Sequence, residues 1–367
     1  MKTTTLRWLA VCAAVAAAVL CWFLLRTDPE PGPGPGAKVP VSAPRMRDKP
    51  VVSSPPPEPW PEFGTPEFKR MALERGRKWL EYRGRDAASL IAAWDITGEE
   101  SLLMEAAEKF PNDPRVCLAM ILHTKDDGQK TMPWIERLIA AEPNNSEGYF
   151  LKAGALMRDK DRAGALAALR KAVAAGGSLD DHLRERILTV REAALASGAS
   201  VREAAQLALA APLMNSTVSQ SLGGTGRFVR DEMKDAKAAG NEERMLEIAG
   251  LGLATVDRVS KSSAATLMDA LIAGTFERAI LAELSDDIEI GANGRTVAQM
   301  KEEAAARHSQ MQQFLKQAET AEKLLRESSD SVVSEYTDRF LLNGEVAAWT
   351  WLINQAVPTK PAEEAGK

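Results

Sequence analysis

Apolar residues return every three or four positions along most of the chain beyond residue 66, the spacing of amphipathic helices. Phe68, Met71, Trp79 and Tyr82 predict a first helix over 67–85, ended by Gly84. Asp86–Trp94 and Glu99–Phe110 predict a helix pair joined by the turn DITG, with Leu90, Ile91, Leu102, Leu103, Ala106 and Ala107 facing one another. Arg115–His123 and Gln129–Ala141 predict a second pair carrying Leu118, Ala119, Leu122, Ile135, Leu138 and Ile139. Pro133 fits only the first turn of a helix, so that helix is expected to start near Thr131. Further periodic stretches follow at Leu179–Ser197, Val201–Leu213, Thr225–Ala239, Asn241–Val259 and Ser262–Leu284, with SLGGTG at 221–226 read as a flexible joint. Over Arg295–Arg326 the residues Val297, Met300, Ala304, Met311, Phe314, Ala318, Ala321 and Leu325 form a heptad-like stripe, broken where Arg307 takes a seam position. Asp330–Leu342 and Glu345–Ala356 complete the helices, with Trp349, Trp351, Leu352 and Ile353 expected inside.

The punctuation repeats. Phe110, Pro111, Asn112, Asp113, Pro114 stops one helix and caps the next, and Glu142, Pro143, Asn144, Asn145, Ser146 does the same 32 residues later. The segment that follows, SEGYFLKAGALMRDKDRAGALAALRKAVAAG over 146–176, has Tyr149 fourth, Ala153 eighth, Leu156 eleventh, Ala165 twentieth, Leu169 twenty-fourth and Ala172 twenty-seventh. It resembles a tetratricopeptide repeat, a 34-residue helix-turn-helix unit with small and large residues at those slots. Small residues let the paired helices approach and large ones fill the space between them. The preceding pair fits less cleanly, with Arg115 where a large aromatic is usual, and the pair before that is degenerate. One hairpin cannot bury its apolar face alone, so the resemblance implies a stack.

Upstream the pattern changes twice. Trp8–Leu25 is an uninterrupted apolar run between Arg7 and Arg26, about 27 Å as a helix, enough to cross a hydrocarbon core. No small-x-small site follows it, and Leu20 before Cys21 departs from a lipoprotein signal. Lys2 and Arg7 on one side, against Asp28 and Glu30 on the other, place the N-terminus in the cytoplasm by the positive-inside rule. The folded part is then expected outside the inner membrane, in a periplasm, with secretion after signal cleavage as the alternative. From Thr27 to Pro66 the chain holds 13 of its 20 prolines and reads as a polyproline-rich linker.

The expected plan is therefore a membrane span at 1–26, a linker at 27–66, repeats at 67–177, a divergent helical continuation at 178–285, a long helix with a helical cap at 286–356 and a tail at 357–367. The fold class is an all-α, tetratricopeptide-like solenoid. The long helix either caps the array or pairs two chains into a stalk, and the small seam at Ala304, Ala318 and Ala321 favours the cap.

Charge and chemistry narrow the function. A net charge of −5 carries no nucleic-acid footprint. Seven Lys or Arg against three Glu over 67–85 make the first helix basic, suited to a solvated face or to an anionic surface. Cys12 and Cys21 lie in the apolar run, and Cys117 reads as a buried small hydrophobe. His123, His182 and His308 stand apart, and the pairs Asp126/Asp127, Asp180/Asp181 and Asp286/Asp287 fall at turns. No catalytic residue, metal site or cofactor is expected, and the chain is not read as an enzyme, although a polar pocket between Thr225 and Leu284 would revive that reading. In the family it resembles, the first helix of each repeat lines a concave surface. Carried over by position, this implies a peptide-binding face of Glu147, Phe150, Gly154, Met157 and Arg158, with Val116, Met120 and His123 from the repeat before. The resemblance implies a bacterial, membrane-anchored scaffold that binds an unidentified protein or peptide in the cell envelope.

Overall fold

Fifteen helices and one short β-ribbon make up the described residues of the computed structural model, which are 65–125, 127–175, 181–214, 217–261, 266–290 and 294–356. By contacts the chain divides into Met1–Pro66 and Glu67–Lys367. The Trp8–Leu25 run, the linker up to residue 64, and the tail lie outside the described residues. Among those that are described, no helix is long and apolar enough to cross a membrane.

The first helix, α1 (Pro66–Arg83), lays Phe68, Ala72, Gly76 and Trp79 against the body. Next come α2 (Ala87–Thr97) and α3 (Glu100–Lys109), then α4 (Pro114–Thr124) and α5 (Gly128–Ala141), then α6 (Ser146–Arg158) and α7 (Arg162–Ala174). Each of these pairs packs as a hairpin, and α3 meets α4 as α5 meets α6, so the hairpins stack in chain order. The repeated punctuation acts as N-caps: Asp113 accepts from the Arg115 amide at 3.0 Å and Asn145 from the Glu147 amide at 2.9 Å. Gly148 explains how closely α5 and α6 approach, because a Cβ there would lie 2.8 Å from Ile139 Cγ1.

Three expectations are corrected locally. The DITG turn is shorter than expected, since α2 runs on to Thr97 and ends on Gly98 at φ 70°. Pro133 sits inside α5, which starts at Gly128. Its Asp127 cap and the Thr131 hydroxyl, which bonds the Asp127 and Thr124 carbonyls, hold the opening turn in place. The glycines of SLGGTG lie within a continuous helix, α10 (Thr217–Ala238), and form no joint. A Cβ on Gly226 would lie 3.0 Å from the Phe276 ring, so the glycine serves helix contact.

After α7 the stack does not simply continue. The hairpin α8 (Asp181–Ala196) and α9 (Val201–Met214) returns to pack on α2. The stack resumes with α10 on α6 and α11 (Glu242–Ser260) on α7, followed by α12 (Leu267–Leu281) against both α10 and α11. A ribbon of β1 (Glu289–Ile290) and β2 (Arg295–Thr296), paired antiparallel, leads into α13 (Val297–Glu327). This short strand pair within the otherwise helical fold was not expected. Finally α14 (Asp330–Asn343) packs on α9, and α15 (Glu345–Ala356) packs on α13 and α14.

The heptad stripe of α13 faces its own chain. Val297, Met300, Ala304, Phe314 and Ala321 are buried, and Phe314 stacks on Trp349 of α15 with ring centroids 5.8 Å apart. Arg307 is tolerated at the seam because its Nη2 donates to both oxygens of Glu277 on α12, at 2.7 and 2.8 Å.

One backbone position is strained. Lys160, in the turn between α6 and α7, has φ 62° and is the one non-glycine with positive φ among the described residues. Left-handed backbone costs a side-chain-bearing residue about 1–2 kcal/mol, part of which glycine returns as unfolded-state entropy. Lys160→Gly is therefore expected to raise stability by about 0.5–1 kcal/mol, read as a higher denaturant midpoint at unchanged slope. A lower midpoint would show that the lysine side chain does more for the fold than its backbone harms.

Candidate functional site

The expected peptide-binding face divides in two. On α6, Phe150 is buried and joins an apolar cluster with Val229 and Met233 of α10, while Glu147 is only 3% exposed. On α4, Val116 and Met120 are buried in a cluster with Leu183 and Ile187 of α8. Gly154 is half-buried, Met157 is partly exposed against the α10 side, and Arg158 and His123 reach solvent. The His123 Nε2 stands 3.2 Å from a Glu100 carboxylate oxygen. Glu147, Phe150, Val116 and Met120 are therefore interior residues, and Gly154, Met157, Arg158 and His123 keep some exposure from the expected set. The physical reason is that later helices lie on the first helices of these hairpins: α10, where the stack resumes, on α6, and α8 on α2. Each fully buried Leu, Ile, Val or Phe contributes about 1.5–3 kcal/mol, so a ligand does not displace this cover cheaply.

The cover is also held by charge. Arg186 of α8 and Asp95 of α2 pair with side chains 4% and 2% exposed, the guanidinium Nε donating to Oδ2 at 3.0 Å. The same guanidinium lies 5.9 Å from the Trp94 ring centroid. His182 Nε2 is 2.8 Å from the Glu142 carboxylate and 3.4 Å from the Asn145 amide nitrogen, so the second punctuation motif caps a helix and also receives α8. Arg115, which stood in an aromatic slot, reaches Glu185 of α8 at 3.3 Å. Asp95 and Arg186 are 91 residues apart, and no local pattern in the sequence pairs them.

A second feature lies at the far end of the α6–α7 turn from Arg158. A cleft of about 380 Å³ opens between the start of α7, the end of α10 and the start of α11, lined by Arg162, Leu166, Glu232, Asp235 and Arg244 among others. Glu232 is buried between two guanidiniums: Arg162 Nε donates to its Oε1, and Arg244 Nη2 stands 3.7 Å from its Oε2. Arg162 Nη2 also donates to Asp235, and the two carboxylates hold the Arg162 guanidinium above its ordinary pKa. The cleft lies partly within the 225–284 stretch where an enzyme reading would require a polar pocket. Its groups are neutralised ion pairs, with no nucleophile beside a base.

Nor do the other titratable groups assemble into chemistry. Cys117 is buried, its thiol pushed up to about 11 by that burial and directed at the Pro111 carbonyl. Burial raises the Glu345 carboxyl, which accepts from the Leu267 amide at 2.7 Å at the head of α12. Among the described residues, no group of three or more His, Cys, Asp or Glu is placed to hold a metal. No family model matches this chain, and no curated protein matches it in sequence.

Proposed function

We propose that the chain is a membrane-anchored, tetratricopeptide-like scaffold that binds another protein in the bacterial cell envelope. Trp8–Leu25 is its anchor and the folded part faces the periplasm. The observation that carries this reading is the in-order stacking of α2/α3, α4/α5 and α6/α7, each pair entered from an Asp or Asn cap. Stacked hairpins present extended, irregular surface and little enclosed volume, which suits macromolecular partners better than small substrates. The partner-facing surface is the solvent-open edge at Met157 and Arg158, together with the neighbouring cleft beside Arg162 and Arg244. An exposed arginine beside a partly exposed methionine suits a peptide segment with an acidic group and an apolar neighbour.

The test is photocrosslinking from position 157 in the native cell, with and without the neighbouring change Arg158→Glu. A single prominent adduct that falls at least about tenfold in the variant is the expected result, in keeping with loss of a charge-assisted contact. Equal adducts from position 157 and from a remote exposed position such as Lys261 would sink this surface assignment. Mass measured against concentration separates the scaffold from a self-associating stalk, for which a concentration-dependent dimer is required.

A further inference from the structure

The first helix has a face that the scaffold reading leaves unused. Helix α1 buries Phe68, Ala72, Gly76 and Trp79, and all its charged residues except Arg75 are exposed. The inward rim is held by Arg75, whose Nη1 donates to the Ser197 carbonyl at 2.7 Å and whose Nη2 lies 3.6 Å from Glu203. Three further cations are engaged locally: Lys78 with Glu74 at 2.7 Å, Arg85 with Glu105, and Arg83 over the Trp79 ring at 5.5 Å. Lys69, Arg70 and Arg77 are exposed and make no ion pair among the described residues. At 3.6 residues per turn these three fall with Leu73 within an arc of about 100°. Leu73 is 39% exposed. The acids of the helix, Glu67, Glu74 and Glu81, recur every seven residues and form a separate strip beside that arc. The charge run is therefore sorted, with a cationic sector free of acids and an exposed leucine in its middle.

From this sorting we infer that the Lys69, Arg70, Leu73 and Arg77 face of α1 docks on an anionic bilayer surface, the arginines and lysine at the lipid headgroups and Leu73 among them. The inference rests on the membrane-anchor reading for the tether. Two observations select lipid as the occupant. The apolar run ends about 40 residues before α1, so α1 is the first described element beyond the anchor. The chain as a whole carries a charge of −5, so the cationic sector of α1 stands on a body that an anionic surface otherwise repels, and its cations, unlike Arg162 and Arg170 of α7, are not taken up by ion pairs. Unpaired cations beside a bilayer each add to the attraction within a Debye length, and an exposed leucine among them adds an apolar contact.

The test uses the full chain in lipid nanodiscs, either neutral phosphatidylcholine or the same with about 30% phosphatidylglycerol, an anionic surface of the required kind. The readout is the rate at which an amine-reactive reagent acetylates Lys69, with exposed Lys130 and Lys261 as internal references. Lys69 is expected to react at least about threefold more slowly in the anionic discs, and about 0.5 M salt should abolish the difference. In the double variant Arg70→Glu/Arg77→Glu the two lipids should give the same Lys69 rate, with the helical circular dichroism unchanged. Equal rates for the native chain in both lipids overturn the inference. Protection by added polyglutamate but not by anionic lipid overturns it too, and assigns the face to an acidic protein. A chain that elutes free of the discs refutes the anchor instead, and sedimentation of the same chain with phosphatidylglycerol vesicles then decides α1 docking alone.

Discussion

Asp95→Ala is expected to destabilise the chain by about 3–5 kcal/mol, because it leaves the Arg186 guanidinium buried without its counter-charge. Both side chains are almost fully enclosed, and the pair joins α2 to α8 where the α8–α9 hairpin packs on α2. Their net contribution relative to well-packed apolar residues is far smaller than the cost of breaking them, since both charges give up their hydration on folding. The double variant Asp95→Leu/Arg186→Met should therefore recover most of the loss. Denaturant unfolding of the three variants measures this directly. If Asp95→Ala shifts the midpoint by less than about 1 kcal/mol, α8 is not held against α2 by this pair. A large loss that the double variant fails to recover would show that the charges also specify the arrangement of the hairpin.

A second large effect is expected at Trp79. This side chain is 1% exposed, the largest on the buried face of α1, and it belongs to an apolar cluster with residues of α2, α3, α4, α8, α9, α14 and α15. Truncating a buried tryptophan to alanine removes transfer energy and leaves a cavity, a loss of about 3–5 kcal/mol. Helix α1 is terminal to the described body, so the loss has a local outlet: α1 can undock before the stack unfolds. Trp79→Ala should thus expose the Lys and Arg residues of α1 to rapid tryptic cleavage while α2–α7 remain folded. Trp79→Phe should keep most of the protection. Unchanged cleavage of α1 in the alanine variant would be falsifying evidence for the docking seen here.

Helix positions were readable because a 3.6-residue period and Asp, Asn and Gly at the joints are local signals. Asp113, Asn145 and Asn241 each cap the helix that follows. The small β-ribbon escaped notice because two residues per strand carry no period. SLGGTG misled for a different reason: glycine weakens a helix in isolation, yet Gly226 is where the Phe276 ring comes close enough to exclude a Cβ. Carrying positions over from a repeat family nominates one side of α4 and α6, but it is silent on whether another part of the same chain lies there, as α10 does over Phe150.

The sequence by itself determined where most of the helices run and which residues cap them, because these follow from neighbours within a few positions. Only the tertiary structure decided that α8 and α9 return to pack on α2, that α10 closes over Phe150, and that the stripe of α13 packs within its own chain. Those outcomes depend on contacts between residues tens of positions apart, such as Asp95 with Arg186 and Arg307 with Glu277. An apolar face must be covered to be stable in water, and periodicity shows that the face exists without naming what covers it.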